Sequence, residues 1–183
     1  MKKIPDERVV WDSCVIIDTI QKTQGRYERI EPFIIDAEKG KLLIVISEIS
    51  VAEVSHSNQL ISQGVSLADQ AQAIKEWLEN PYIYRVPVHA GISELASDIG
   101  RQFNLKRAAD RIIVATAKFE RIPTVHTFDG TDPKKKNKIL PLDGKIFFLN
   151  SKPGDLPIRI MEPDPAKGTV FEKHLNDNQQ TKD

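Results

Sequence analysis

The sequence predicts an α/β protein with three layers, α/β/α, around a central parallel sheet of four to five strands. Three observations lead there. Short runs such as Val9-Val10-Trp11 and residues 42–46, Leu-Leu-Ile-Val-Ile, are apolar on both faces, as in strands covered on both sides. Longer stretches between them carry apolar residues at three- and four-residue spacing, as amphipathic helices do. The resulting order is β-α-α-β-α-α-β-α-α-β-β, and strands that return through helices pair in parallel.

The first element is the strand at Val9-Val10-Trp11, which stops at Asp12. Residues 13–22 follow as a helix, ended by Gly25. Residues 27–39 form a second helix, with Ile30, Phe33, Ile34 and Ala37 on its apolar face and Gly40 at the position of a C-terminal cap. After the strand at 42–46, Ser47 is expected to cap a helix over 48–57. Ser66 is expected to cap another that runs to Leu78, where Asn80-Pro81 breaks it. A third strand covers 82–86. Two helices cover 89–103 and 110–119. Strands follow at 124–128 and 146–149, and residues 158–161 are apolar enough for an added edge strand. Residues 1–150 are thus the expected globular domain, and 151–183 a C-terminal extension expected to be largely flexible, polar after Asp164.

The chain has 183 residues, of which 40% are hydrophobic. That suffices for one cored domain. Lys and Arg number 26 and so do Asp and Glu, for a net charge of zero. A generally basic nucleic-acid binder is excluded, and any nucleic acid must be held by a local patch or through metal. The single cysteine, Cys14, excludes an intrachain disulfide and a cysteine-built zinc site. It suits a reducing compartment. No run is long enough to span a membrane, and no apolar leader follows Met1, so the expectation is a cytoplasmic protein with no membrane partner.

In open α/β sheets the active site lies beyond the carboxyl ends of the strands. Asp12 follows the first strand, Asp129 follows the fourth, and Asp110 opens the helix that leads into the fourth. Glu53 lies on the helix after the second strand. Taken singly, Asp12 and Asp110 would serve as helix caps, Asp129-Gly130 as a turn, and Glu53 as part of a solvated face. Their common position at one end of the sheet joins them. Four carboxylates in one cleft repel one another and raise each other's pKa unless a cation relieves them. An all-oxygen set of this kind suits Mg²⁺ or Mn²⁺, which can polarise a phosphodiester and generate hydroxide from water.

Those same residues carry a resemblance to a known family. Val9-Val10-Trp11-Asp12-Ser13 resembles the first motif of PIN domains. Residues 47–54, with Glu53, resemble the second. Residues 109–117, an Asp opening a helix of small residues, resemble the third, and Thr127-Phe128-Asp129 the fourth. The resemblance implies a PIN-like fold and a Mg²⁺- or Mn²⁺-dependent endoribonuclease. It implies Asp12, Asp110 and Asp129 as metal ligands, with Glu53 completing the catalytic set. Ser13 and Thr127 would hydrogen-bond the carboxylates. Many bacterial and archaeal members are VapC-like toxins held inactive by a small antitoxin, so the implied partners are RNA, a small antitoxin protein and a second copy in a homodimer. Cys14 stands where the family commonly has Asn or Ser, and the chain is longer than a compact toxin.

Outside the acidic set, the run Lys134-Lys135-Lys136-Asn137-Lys138 is a candidate phosphate track beside the cleft, or a solvated loop. No Gly-Lys-Ser/Thr loop and no Gly-x-Ser-x-Gly motif is present, which argues against a P-loop NTPase and a serine hydrolase. A haloacid-dehalogenase-like phosphatase would need an acid at position 14, which is Cys. The alternative reading is a non-catalytic PIN-like module that binds RNA or protein.

Overall fold

In a computed structural model of the chain, the described residues are 5–55, 66–130 and 138–167. The first strand, β1 (Glu7–Trp11), leads into α1 (Ser13–Gln21) and α2 (Tyr27–Glu38). Then come β2 (Leu42–Ser47), α3 (Glu48–Ser55), α4 (Leu67–Leu78) and β3 (Ile83–Val86). The chain continues through α5 (Ala90–Phe103), α6 (Ala108–Phe119), β4 (Thr124–His126) and β5 (Arg159–Met161). The five strands form one parallel sheet in the order β3-β2-β1-β4-β5.

The strand residues divide by parity, as a pleat demands. Val9, Trp11, Leu42, Ile44 and Ile46 point to one face, where they meet Val15 and Ile16 of α1, Ile30 and Phe33 of α2, Val54 of α3 and Ile74 of α4. Val10, Val45 and Val125 point to the other, against Ile92 and Ile99 of α5 and Ile113, Val114 and Ala117 of α6. Two apolar cores therefore sandwich the sheet, and the α/β/α layering follows. Trp11, with no exposure, stacks on Trp77 at 6.1 Å between ring centroids, so both tryptophans serve the core.

Most helix ends follow the local sequence. Gly40 takes a φ of 72° after α2, and its N–H donates to the Ala37 carbonyl. The Ser66 hydroxyl accepts from the Asp69 N–H at 3.1 Å. At Asn80 the side chain donates to the Trp77 carbonyl at 2.8 Å and closes α4.

Three expectations are corrected. Ser47 does not cap α3: it is still the last residue of β2, paired with Val86, and its buried hydroxyl has no hydrogen-bond partner. Asp110 does not open α6 as its cap. Arg107 is the N-cap residue, without a side-chain capping bond, and Asp110 lies inside the first turn. Residues 146–149 are not a strand. Ile146 makes an isolated antiparallel bridge to Ile158, and the edge place beside β4 is taken by Arg159–Met161 in parallel register. Ile158 and Ile160 are buried with Ile139 and Ile146, so the sheet and its core continue past residue 150.

Candidate active site

β1 lies in the middle of the sheet, with the chain returning to β2 on one side and β4 on the other. Such a switch of direction leaves a crevice at the carboxyl ends of the strands. Asp12 stands there as the N-cap residue of α1 and is 3% exposed. Its Oδ1 accepts from the Ser13 N–H at 2.7 Å and its Oδ2 from the Thr127 hydroxyl at 2.6 Å. The residue caps α1 and at the same time stands at the mouth of the crevice.

Short polar side chains then tie the strands' ends together. The Ser13 hydroxyl donates to Glu53 Oε2 at 2.8 Å, which links α1 to α3. Thr127 accepts from the Asp129 N–H at 2.8 Å, so one hydroxyl orients both Asp12 and the turn that carries Asp129. Cys14 Sγ lies 3.3 Å from Asp12 Oδ2 and accepts from the Phe128 N–H at 3.2 Å. Burial, and then the Asp12 charge, pushes its thiol pKa up, so Cys14 is a neutral spacer and not a nucleophile.

Three of the four acids surround one guanidinium. Arg107 Nη2 donates to Glu53 Oε1 at 2.9 Å, and its Nη1 stands 3.6 Å from Asp110 Oδ1 and 3.6 Å from Asp129 Oδ2. Lys138 clamps both oxygens of Asp129, with Oδ2 at 2.6 Å. Asp110 is 3% exposed, and among the described residues its Oδ2 has no hydrogen-bond partner. Burial raises its pKa to about 7. The Arg107 charge opposes this, and the Asp12, Asp129 and Glu53 charges add to it. A buried carboxyl with an unpartnered oxygen, and with three acids near enough to raise its pKa, is where a cation is wanted.

The donor set fits a divalent ion in chemistry: all oxygen, and four carboxylates against two cations. Among the described residues, no group of three His, Cys, Asp or Glu is already drawn into a metal-holding arrangement. Arg107 and Lys138 occupy the neutralising role instead. The sequence pattern did not point to Arg107, and Lys138, expected in a phosphate track, meets Asp129 instead. Arg107 could have been found as the residue three before Asp110, one turn away at a helix start. Lys134, Lys135 and Lys136 lie outside the described residues, and Lys138, the end of that run, meets a carboxylate. An open pocket of about 370 Å³ lies between α3, α4 and β3, lined by Val51, Ile74, Leu78 and Arg85 and apart from this acidic set.

An α/β/α sandwich with acids gathered at the carboxyl ends of its parallel sheet is the architecture expected of a PIN-like domain. The PIN-domain model matches residues 9–136, and the chain belongs to that family of nucleases. No curated protein matches it in sequence. Among solved structures it is similar to the VapC20 toxin of Mycobacterium tuberculosis, which cleaves the sarcin-ricin loop. That likeness has a TM-score of 0.52 and 14% identity, over 67% of this chain and 91% of that one. It is also similar to a chain of a toxin–antitoxin complex from Klebsiella pneumoniae, with a TM-score of 0.50 and 22% identity, over 70% of this chain and 92% of that one. At such identities the likeness concerns the fold. Among the described residues, no helix is long and apolar enough to cross a membrane.

Proposed function

We propose that the protein is a Mg²⁺- or Mn²⁺-dependent endoribonuclease that hydrolyses phosphodiester bonds at the Asp12, Glu53, Asp110 and Asp129 crevice. The observation that carries this reading is Asp110 Oδ2, buried, unpartnered and set among three further carboxylates. A structural acid in such a place would be hydrogen-bonded or replaced by an apolar residue.

Asp12, Asp110 and Asp129 would hold the metal, which supplies Lewis-acid polarisation of the phosphodiester and lowers the pKa of water. The chain's own residues supply the frame. Thr127 and the Ser13 N–H fix the two oxygens of Asp12. Ser13 holds Glu53 by one oxygen, which leaves its other for Arg107 or for a water molecule to be oriented. Lys134, Lys135 and Lys136, entering the same stretch of chain as Lys138, would meet substrate phosphates.

A toxin role, with a small antitoxin as partner, is the biological setting we infer, in a reducing cytoplasm and with a homodimer as the assembly. The toxin neighbours support it through fold only. A small DNA-binding gene beside this one, whose product co-purifies with the chain and suppresses cleavage, would bear out that setting. A second reading, the non-catalytic module, draws on Arg107 and Lys138, which neutralise the crevice without metal. Calorimetric Mn²⁺ titration and cleavage of a structured RNA, for wild type and Asp110→Asn, separate the two. Metal binding and cleavage, both lost in the variant, establish the nuclease. RNA binding with neither metal binding nor cleavage establishes the module.

A further inference from the structure

We propose that Arg107 is a resident cation of the crevice, which a divalent ion must displace from between Glu53, Asp110 and Asp129 in order to bind. The inference rests on the metal-dependent reading above. One guanidinium serves three acids: it hydrogen-bonds Glu53 at 2.9 Å and reaches Asp110 and Asp129 only at 3.6 Å. In this position the planar fork satisfies Glu53 and leaves the other two carboxylates beyond hydrogen-bond distance. It leaves the buried Asp110 Oδ2 without a hydrogen-bond partner among the described residues. A compact, doubly charged ion meets that set better.

Arg107 is also placed to leave. Its side chain is 52% exposed, and the contacts that hold it are carboxylates alone among its described side-chain partners. Its backbone keeps the start of α6 in place independently, since the Arg107 carbonyl accepts from the Arg111 N–H at 3.3 Å and from Arg111 Nε at 3.3 Å. Lys138 differs in both respects. It is 13% exposed and, among the described residues, serves Asp129 alone, so it stays while Arg107 exchanges. A guanidinium and a metal ion among the same carboxylates repel each other, and so occupancy by one excludes the other. Arg107 would then set the threshold of free metal at which the crevice loads.

Mn²⁺ binding to the full chain, followed by calorimetry and by electron paramagnetic resonance of the free ion, tests this. Arg107→Ala and Arg107→Gln should each bind Mn²⁺ about tenfold more tightly than wild type at low salt. Arg107→Gln keeps a donor for Glu53, so the site remains assembled if Arg107→Ala loosens it. Lys41→Ala removes the same charge beside Asp36, at the opposite end of the sheet, and should leave Mn²⁺ affinity unchanged. Wild-type Mn²⁺ binding with equal or weaker affinity in both Arg107 variants would overturn the proposal, as would equal tightening in Lys41→Ala. No Mn²⁺ binding by any of these proteins would overturn the metal-dependent reading beneath it, and the exchange with it.

Discussion

Burial drives the Asp110 carboxyl up to about 7, against the pull of Arg107 and with the push of three neighbouring acids. Its stabilising protonated form is present at low pH and is lost as pH rises through that value, so above neutrality the metal-free protein carries the strain of a buried charge. Asp110→Asn removes that strain at nearly the same volume. Without metal the variant should be more stable at about pH 8, by on the order of 1 kcal/mol. Cleavage should fall by at least about a hundredfold, and Mn²⁺ should raise its melting temperature less than that of wild type. Paired melting curves with and without Mn²⁺ test this, and equal metal shifts in the two proteins would remove Asp110 from the site. His126 works with the opposite sign. It has no exposure, both ring nitrogens lack partners, and its ring packs edge-on against Phe33 at 4.6 Å. Burial lowers its pKa to about 3, so its contribution is present above the ordinary histidine range and is lost as pH falls toward that value. In the Asp110→Asn background, lowering the pH from about 7 to about 5 should cost about 2 kcal/mol. His126→Leu in that background should flatten the loss in urea titrations at the two pH values.

At the scale of elements, β5 shows how an edge is closed. Its inward bonds are regular, the Arg159 N–H donating to the Pro123 carbonyl and the Thr127 N–H to that of Met161. The Ile160 N–H points away from β4 and meets Asp143 Oδ1 at 2.8 Å, while the same carboxylate takes Arg159 by two bonds at 2.9 and 3.1 Å. Asp143 therefore satisfies a backbone donor that would otherwise offer itself to another strand. Asp143→Ala should destabilise the protein by about 1–2 kcal/mol, measured by chemical denaturation, with the stranded N–H as the main cause. Asp143→Asn, which keeps the acceptor, should lose less. The edge strand itself was legible in the apolar residues 158–161, but its seal by Asp143 was not. Ile146-Phe147-Phe148-Leu149 is as apolar as Ile158-Arg159-Ile160-Met161, and apolarity alone does not choose between two candidate edges. The choice came from Asp143. The buried strands β1 and β2 were legible because a strand packed on both faces must be apolar throughout. The acids were legible because the sheet's ends select them from many. Arg107 was only partly so: Asp110 lies one turn away, but Glu53 and Asp129 are distant in sequence. Ser47 was misread for a related reason: a serine before a helix resembles a cap until the strand it belongs to claims its backbone.

At the scale of the molecule, the two faces of the sheet are sealed by different stretches of chain. The face under α1 and α2 is complete by Phe128, whereas the face under α5 and α6 draws on Ile139, Ile146, Ile158 and Ile160. The expected boundary at residue 150 cuts through that second core. A chain of residues 1–150 would bare the outer edge of β4 and leave Ile139 and Ile146 without Ile158 and Ile160 over them. Each lost isoleucine forfeits burial worth about 2–3 kcal/mol, against a total stability of about 5–15 kcal/mol. Pairing along β4 would be lost as well. A chain ending at residue 167 keeps β5, the Arg29–Glu162 ion pair and the turn at Pro165–Lys167. The shorter chain should show no cooperative urea transition, and the longer one should unfold within about 1 kcal/mol of the full chain. Cooperative unfolding of residues 1–150 would place the domain boundary at 150 and reduce β5 to an appendage. Loss of cooperativity at 167 would mean that residues beyond it contribute to the core.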